Sequence, residues 1–365
     1  MCMQRWAFAL MLAAVLFSAS EVFGEEGWID LFDGETLFGW KPMGVLEWQV
    51  DGGVASCRHV KNACGWLATT SVFADFELSA GLRVDDGGAM GLVVRSALEG
   101  HPSENGASLV TLTAPEGGKA VFHEVRVIAS GDSVMATVDG QEVDVARGGA
   151  ACGHVGLLYY GSGRVAMEAM RLKPLNMQPI FNRENLEGWN ILPGHASEFT
   201  VVDGTLNIKN GNGQIETDGE YKDFILQLSV YSNGEHLNSG VFFRGPKGVF
   251  WKGYESQVRN QWSRDDRTRP VDYGTGGIYG DQEARKVVSN DKEWFEKTIV
   301  CNGNHMAVWV NGYQTSDWLD VRPVAEDGNA KEGYVPGPGT IHLQGHDPTT
   351  DLSFTNIRIQ EYPAR

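Results

Sequence analysis

Glu255 and Gln257 stand two residues apart in Tyr254-Glu255-Ser256-Gln257-Val258, a run where apolar and polar side chains alternate. Alternation puts both on one face of a strand. A carboxylate that takes up a proton beside an amide that donates and accepts makes a polar binding cleft. The same pattern also suits the solvent-facing edge of a sandwich. Around this pair, within residues 240–279, lie Arg244, Trp251, Lys252, Trp262 and Tyr279, and Gln344 and His346 follow later. Arg244 carries a fixed fork of donors, His346 titrates near neutral pH, and the tryptophans offer apolar faces. The charged stretch 264–269 reads as a solvated loop at the lip of a cleft.

The elements that position these groups are short strands. Gly is abundant at 46 residues, Trp numbers 11, and no long helical periodicity appears. Asp-Gly and Asn-Gly punctuate alternating runs, as at Asp139-Gly140 and Asn311-Gly312, and such dipeptides favour tight hairpins because they accept positive φ. The expected class is all-β.

The chain is written twice. Ile29-Asp30-Leu31-Phe32 through Gly39-Trp40 lines up with Gln178-Pro179-Ile180-Phe181 through Gly188-Trp189. Gly91-Leu92-Val93-Val94-Arg95 matches Gly240-Val241-Phe242-Phe243-Arg244, and Val138-Asp139-Gly140 matches Val310-Asn311-Gly312. These matches predict two β-sandwiches, residues 25–175 and 176–365, each large enough to bury a core between two sheets. The second half is longer between Arg244 and Glu296 than the first between Arg95 and Glu124, and only the longer insert holds Tyr254-Glu255 and Gly276-Gly277-Ile278-Tyr279. Near its end the first half reads Leu157-Leu158-Tyr159-Tyr160 where the second reads His342-Leu343-Gln344-Gly345-His346. A single chemical site therefore belongs to the second half. Arg244 recurs as Arg95 in the copy without polar motifs, which favours a structural ion pair for it.

Residues 1–24 read as a secretion signal: Arg5, a short apolar run from Trp6 to Phe17, and small residues at Val22-Phe23-Gly24. A secreted or periplasmic chain follows, and no stretch is long enough to insert in a membrane. The net charge of −17 excludes nucleic acid and anionic membrane as partners and suits a neutral or cationic ligand. Cys57 and Cys64 flank a short segment that a disulfide can close, while Cys301 lies in an apolar strand and reads as a buried thiol.

Phe181, Leu186, Gly188 and Trp189 at the start of the second half, Ser239 through Arg244, Gly253 through Val258, Thr275 through Tyr279, Trp294-Phe295-Glu296 and Leu343 through Asp347 together resemble the 3-keto-disaccharide hydrolases. These are also described as 3-keto-glucoside 1,2-lyase/3-keto-2-hydroxy-glucal hydratase domains. The first half resembles the same fold but departs at each polar motif. The resemblance implies two tandem concanavalin/laminin-G-like jelly-roll β-sandwiches. It also implies a 3-keto-glycoside or other carbohydrate as ligand, and an upstream sugar oxidoreductase that makes the ketone.

On such a substrate the C3 ketone acidifies the C2 proton. A base removes it, the aglycone leaves C1, and water adds to the resulting glucal. This needs a base, a donor at the C3 oxygen and an acid at the leaving oxygen. By their own chemistry the second half offers a candidate for each role: Glu255 as the base, Arg244 as the donor, and His346 or Tyr279 as the acid. Gln257, Gln344, Trp251, Trp262 and Lys252 bind the sugar. A divalent metal on Glu255, His346 and Asp347 would also stabilise an enolate, although these residues lack the spacing of a metal motif. The alternative reading is a carbohydrate-binding β-sandwich protein without catalysis, and a third is an adhesion protein.

Overall fold

The structure, a computed structural model, describes residues 27–57, 65–85, 87–114, 120–161 and 163–363. The proposed signal and Cys64 lie outside the described residues. Four large antiparallel sheets form two sandwiches, and the helical content among the described residues is one 3-10 turn, Pro102–Glu104. No helix among them is long and apolar enough to cross a membrane.

In the first sandwich an eight-stranded sheet runs Gln141–Val143, Ser133–Val138, His123–Ser130, Phe76–Val84, Val165–Pro174, Val54–Cys57, Trp48–Asp51, with Ile29–Asp30 beside Val165–Pro174. It faces a six-stranded sheet built around Gly88–Ser96, His154–Gly161 and Gly65–Thr69. In Phe76–Val84 every second residue is buried, the period-2 signature of a strand with one face on a core. The second sandwich repeats the plan. Its eight-stranded sheet is centred on Asp351–Glu361, Phe224–Ser232, Trp294–Asn302 and His305–Val310. Its five-stranded sheet runs Trp189–Ile191, Gly213–Thr217, Thr340–Gly345, Ser239–Gly245, Tyr254–Val258. Phe224, Leu226, Leu228 and Val230 meet Val241, Phe243, Ile341 and Leu343 between the two sheets. Asp139-Gly140 and Asn311-Gly312 both turn with positive φ at each residue, as the hairpin dipeptides require.

The sandwiches pack through the outer face of the second eight-stranded sheet. Ile225, Val300, Ala307, Trp309 and Tyr362 join the apolar cluster of Leu31, Phe32, Trp40 and Val72. Trp309 Nε1 donates to Asp30 O at 2.9 Å, and Gln227 Nε2 donates to Gly27 O at 2.9 Å. That face is spent on the contact. The outer face of the five-stranded sheet, on the far side of the second sandwich, remains for chemistry. Cys301 is buried as expected, and burial pushes its thiol up to about 11.

Candidate functional site

Five strands with period-2 alternation fix the site by register alone. Gln214 pairs with Gln344, and Glu216 with His342. His342 pairs with Phe242, Phe242 with Glu255, and Gly240 with Gln257. The intervening residues Ile215, Val241 and Leu343 point into the core. One face of the sheet is therefore polar, and Gln214, Glu216, His342, Gln344, Glu255 and Gln257 are all buried on it. Burying so many polar groups is costly unless partners are supplied. Loops supply some of them.

Glu255 is at the centre. Its side chain lies over Gly240, where a Cβ would collide with Glu255 Oε1. Gly240 is thus the space the carboxyl occupies. Lys331 Nζ lies 3.2 Å from Glu255 Oε2. The same ammonium sits 4.2 Å from the Trp251 ring, 4.7 Å from Tyr279 and 5.5 Å from Phe242, an aromatic seat for a cation. Burial pushes Glu255 up to about 7, the charges of Lys331 and His346 pull it back, and Asp272 pushes it further up. A carboxyl held there exchanges protons near neutral pH.

On one side of Glu255, Gln257 Nε2 donates to Asp272 O (3.0 Å) and Asn238 Nδ2 to Asp272 Oδ2 (2.9 Å). Asn238 Nδ2 is 3.4 Å from His346 Nε2, and His346 Nδ1 is 3.0 Å from Asp347 Oδ2. On the other side, the Trp251 N–H donates to Gln214 Oε1 (2.7 Å), and the Gly248 N–H reaches both oxygens of Glu216 at 3.0 Å. His342 Nε2 lies 2.6 Å from Thr340 Oγ1, and burial lowers the imidazole to about 4, so it is neutral at physiological pH. Three side-chain atoms on this face have no partner: Gln214 Nε2, Gln344 Oε1 and Asn238 Oδ1. Buried polar atoms left open around a titratable carboxyl are what a hydroxyl-rich ligand satisfies.

Of the residues expected from sequence, the fold brings Glu255, Gln257, Gln344, His346, Tyr279 and Trp251 together. Trp251 is 45% exposed at the mouth, and Tyr279 joins through Lys331 and through its N–H, which donates to Glu255 O at 2.9 Å. Three expected residues fall elsewhere. Arg244 adopts φ 52, turning its side chain away from the polar face. Its fork is consumed by Lys222 O, Gly303 O, Val335 O and Asp223 Oδ1. Arg95 does the same with Ala74 O, Gly131 O and Asp75 in the first sandwich. Lys252 pairs with Asp327, tying two loops together. Trp262 stands outside the five-stranded sheet, in the two-stranded ribbon of Trp262–Ser263 and Asp266–Pro270, with the Arg267 guanidinium 4.1 Å over its ring. Among the described residues no three His, Cys, Asp or Glu side chains converge as a metal site, so Glu255, His346 and Asp347 do not form the set considered above.

Sequence reading missed Gln214, Glu216, His342, Asn238, Asp272 and Lys331. The first sandwich holds the signal for most of them. Trp66 pairs with Leu158, and Ala68 with Gly156, where Gln214 pairs with Gln344 and Glu216 with His342. Val93 stands for Phe242, and its partner Leu109 for Glu255. Trp66, Ala68, Val93, Leu109 and Leu158 form an apolar cluster of their own. The polar face of one copy is the apolar face of the other.

Among solved structures, two Parabacteroides distasonis proteins named as candidate glycosyl hydrolases are similar. One is 21% identical, covering 51% of this chain and 94% of its own, with a TM-score of 0.42. The second is 25% identical, covering 51% and 99%, also with a TM-score of 0.42. A carbohydrate-binding module from Bacillus subtilis is 13% identical over 51% of this chain and 98% of its own, with a TM-score of 0.35. No curated protein matches the chain. The 3-keto-alpha-glucoside-1,2-lyase-like domain matches it twice, over residues 27–161 and 176–360, once for each sandwich. With most of its length so covered, the chain belongs to the family of the 3-keto-alpha-glucoside-1,2-lyase-like domain.

Proposed function

We propose that the second sandwich acts on carbohydrate and cleaves 3-keto-glycosides by elimination followed by hydration. The observation that carries this reading is Glu255: a buried carboxyl held at about 7 beside the Lys331 ammonium, among amides with unpartnered atoms. Ionised Glu255 takes the C2 proton, and the C–H electrons form an enolate on the C3 oxygen. A cation beside the base stabilises that oxyanion, and Lys331 takes the role first expected of Arg244. When the ketone reforms, the C1–C2 double bond forms and the C1–O bond breaks. His346 or Tyr279 gives a proton to the departing oxygen. Water then adds across C1–C2, its oxygen to C1 and a proton to C2, completing net hydrolysis. Gln257, Gln344 and Asn238 hold hydroxyls, and Trp251 stacks on the ring at the mouth.

The ketone must be made first, so a sugar oxidoreductase acts upstream. With residues 1–24 read as an export signal, the proposed reaction takes place outside the cytoplasm, and N-terminal mass analysis of the exported protein tests this. The activity test is incubation with a 3-keto-glucoside and with its non-oxidised parent, following aglycone release with and without a chelator. Release from the keto sugar alone, absent in Glu255→Gln, supports elimination through the ketone. Binding without release from either sugar leaves a carbohydrate-binding protein instead.

A further inference from the structure

Beneath the Glu255 strand lies a charge that the site's chemistry does not use. Lys297, in the Trp294–Asn302 strand, points between the two sheets and is fully buried. Its Nζ donates to Ser256 O at 3.0 Å and to Gln257 O at 2.6 Å, the two carbonyls that follow Glu255. The edge strand is held from outside as well. The Gly276 N–H donates to Gln257 O and the Gln257 N–H to Gly277 O, both at 2.9 Å. Ser316 Oγ in turn donates to Gly276 O at 2.8 Å.

A buried ammonium is expensive, and the other sandwich does without one. Val310 faces Lys297 across its strand pair, and Val138 faces Val125 at the matching place before the Asn-Gly and Asp-Gly turns. The same chain thus has Lys297 beneath Glu255 and Val125 in the sandwich where Leu109 replaces Glu255. The cation accompanies the carboxylate, and both are missing where the polar face is missing.

We propose that Lys297 is a positioning residue of the Glu255 site: from the core side it fixes the peptide units after Glu255 and supports the carboxylate through the strand. This rests on the reading of Glu255 as the base. Burial lowers Lys297 to about 7, and the charge of Glu255 raises it. The other groups acting on Glu255 are Lys331 from one loop, His346 from the turn after Thr340–Gly345, and Asp272 from the loop below Gln257. The strands flanking Lys297 present Leu228 and Val310.

The test is titration of the Glu255 carboxyl by 13C NMR in the wild-type protein and in Lys297→Met, assigned through Glu255→Gln. Without the cation the carboxylate is less favoured. Glu255 in Lys297→Met should then titrate higher, by on the order of half a pH unit or more, and the acid limb of kcat/KM should move up with it. By reciprocity, the Lys297 13Cε signal in Glu255→Gln should titrate lower than in wild type. That second measurement decides alone if Lys297→Met does not fold. A merely structural lysine would lower the yield of folded protein and leave both titrations where they were, and that result overturns the proposal. If both titrations move but Glu255→Gln keeps full turnover, the support from Lys297 stands and the assignment of Glu255 as the base falls.

Discussion

Lys331 Nζ lies 3.2 Å from Glu255 Oε2 and at the same time over the rings of Trp251 and Tyr279. One loop cation thus binds the buried carboxylate and the aromatic mouth of the site together. Its charge favours the ionised form of Glu255, and under the proposed elimination it also offers a donor to the enolate oxygen.

Removing that cation should show as a change in pH dependence. In Lys331→Met the burial that raises Glu255 is no longer opposed by its nearest positive charge. The carboxyl should titrate above about 7, by roughly one unit. The acid limb of kcat/KM should shift upward equally, and the rate at pH 6 should fall about tenfold beyond any loss at the pH optimum. Lys331→Arg keeps the charge and should keep the limb near its wild-type position. A pH–rate profile of the three proteins reads this, and a limb unmoved in Lys331→Met would separate Lys331 from the base.

Glu255→Gln should lose turnover and gain stability. The folded carboxyl is raised from 4.5 to about 7, so the folded protein favours the protonated form. The contribution of Glu255 to stability is therefore full below its unfolded value and is lost as pH rises through about 7. At pH 8 the neutral amide avoids that loss, a gain of roughly 3 kcal/mol at most, and at pH 4 the two proteins should match. Denaturant unfolding at both pH values measures the gap. Equal stability at pH 8 would mean that Glu255 is not held away from its ordinary value.

How much of this was legible in the sequence depended on whether a feature was periodic. The sandwiches follow from alternation and from hairpin dipeptides such as Asn311-Gly312, which fix local geometry. Gln257 beside Glu255 follows from period 2, and the same alternation carries His342 beside Gln344, which the reading passed over. Lys331 does not follow from it, because it reaches Glu255 from a loop whose path depends on tertiary packing. Arg244 misled the reading because it sits on the right strand, yet its positive φ turns the side chain away, and φ is not written in alternation. Its recurrence as Arg95 was the true signal: a group kept in the copy without the polar face serves the fold.

Arg244 should accordingly matter to folding and not to the reaction. Four acceptors converge on its guanidinium, and lysine cannot reproduce a planar fork. Arg244→Lys should destabilise the protein by about 3 kcal/mol. The molecules that remain folded should show unchanged KM and an unchanged pH profile. Activity normalised to folded protein checks this, and a selective fall in kcat would return Arg244 to the site.

Arg285, which the sequence left unremarked, adds a polar contact between the sandwiches. Its Nη2 lies 2.9 Å from Asp33 Oδ2, Nη1 donates to Thr36 Oγ1 at 3.1 Å, and the guanidinium stacks 4.0 Å over Phe38. Burial alone would raise the Asp33 carboxyl, but the Thr36 and Glu35 N–H groups, the Thr36 hydroxyl and Arg285 together hold it below its usual value. A depressed carboxyl contributes stability above its unfolded value and loses it as pH falls through the folded one. Arg285→Ala should therefore cost about 2 kcal/mol at pH 7, and the gap to wild type should narrow below roughly pH 4. Because Arg285 lies outside the Glu255 cluster, turnover of the folded protein should hold. Calorimetry across pH measures the first part. A gap that stays constant down to pH 3 would assign the loss to stacking on Phe38 and on Tyr313, whose ring lies 4.8 Å from the guanidinium, and not to the ion pair with Asp33.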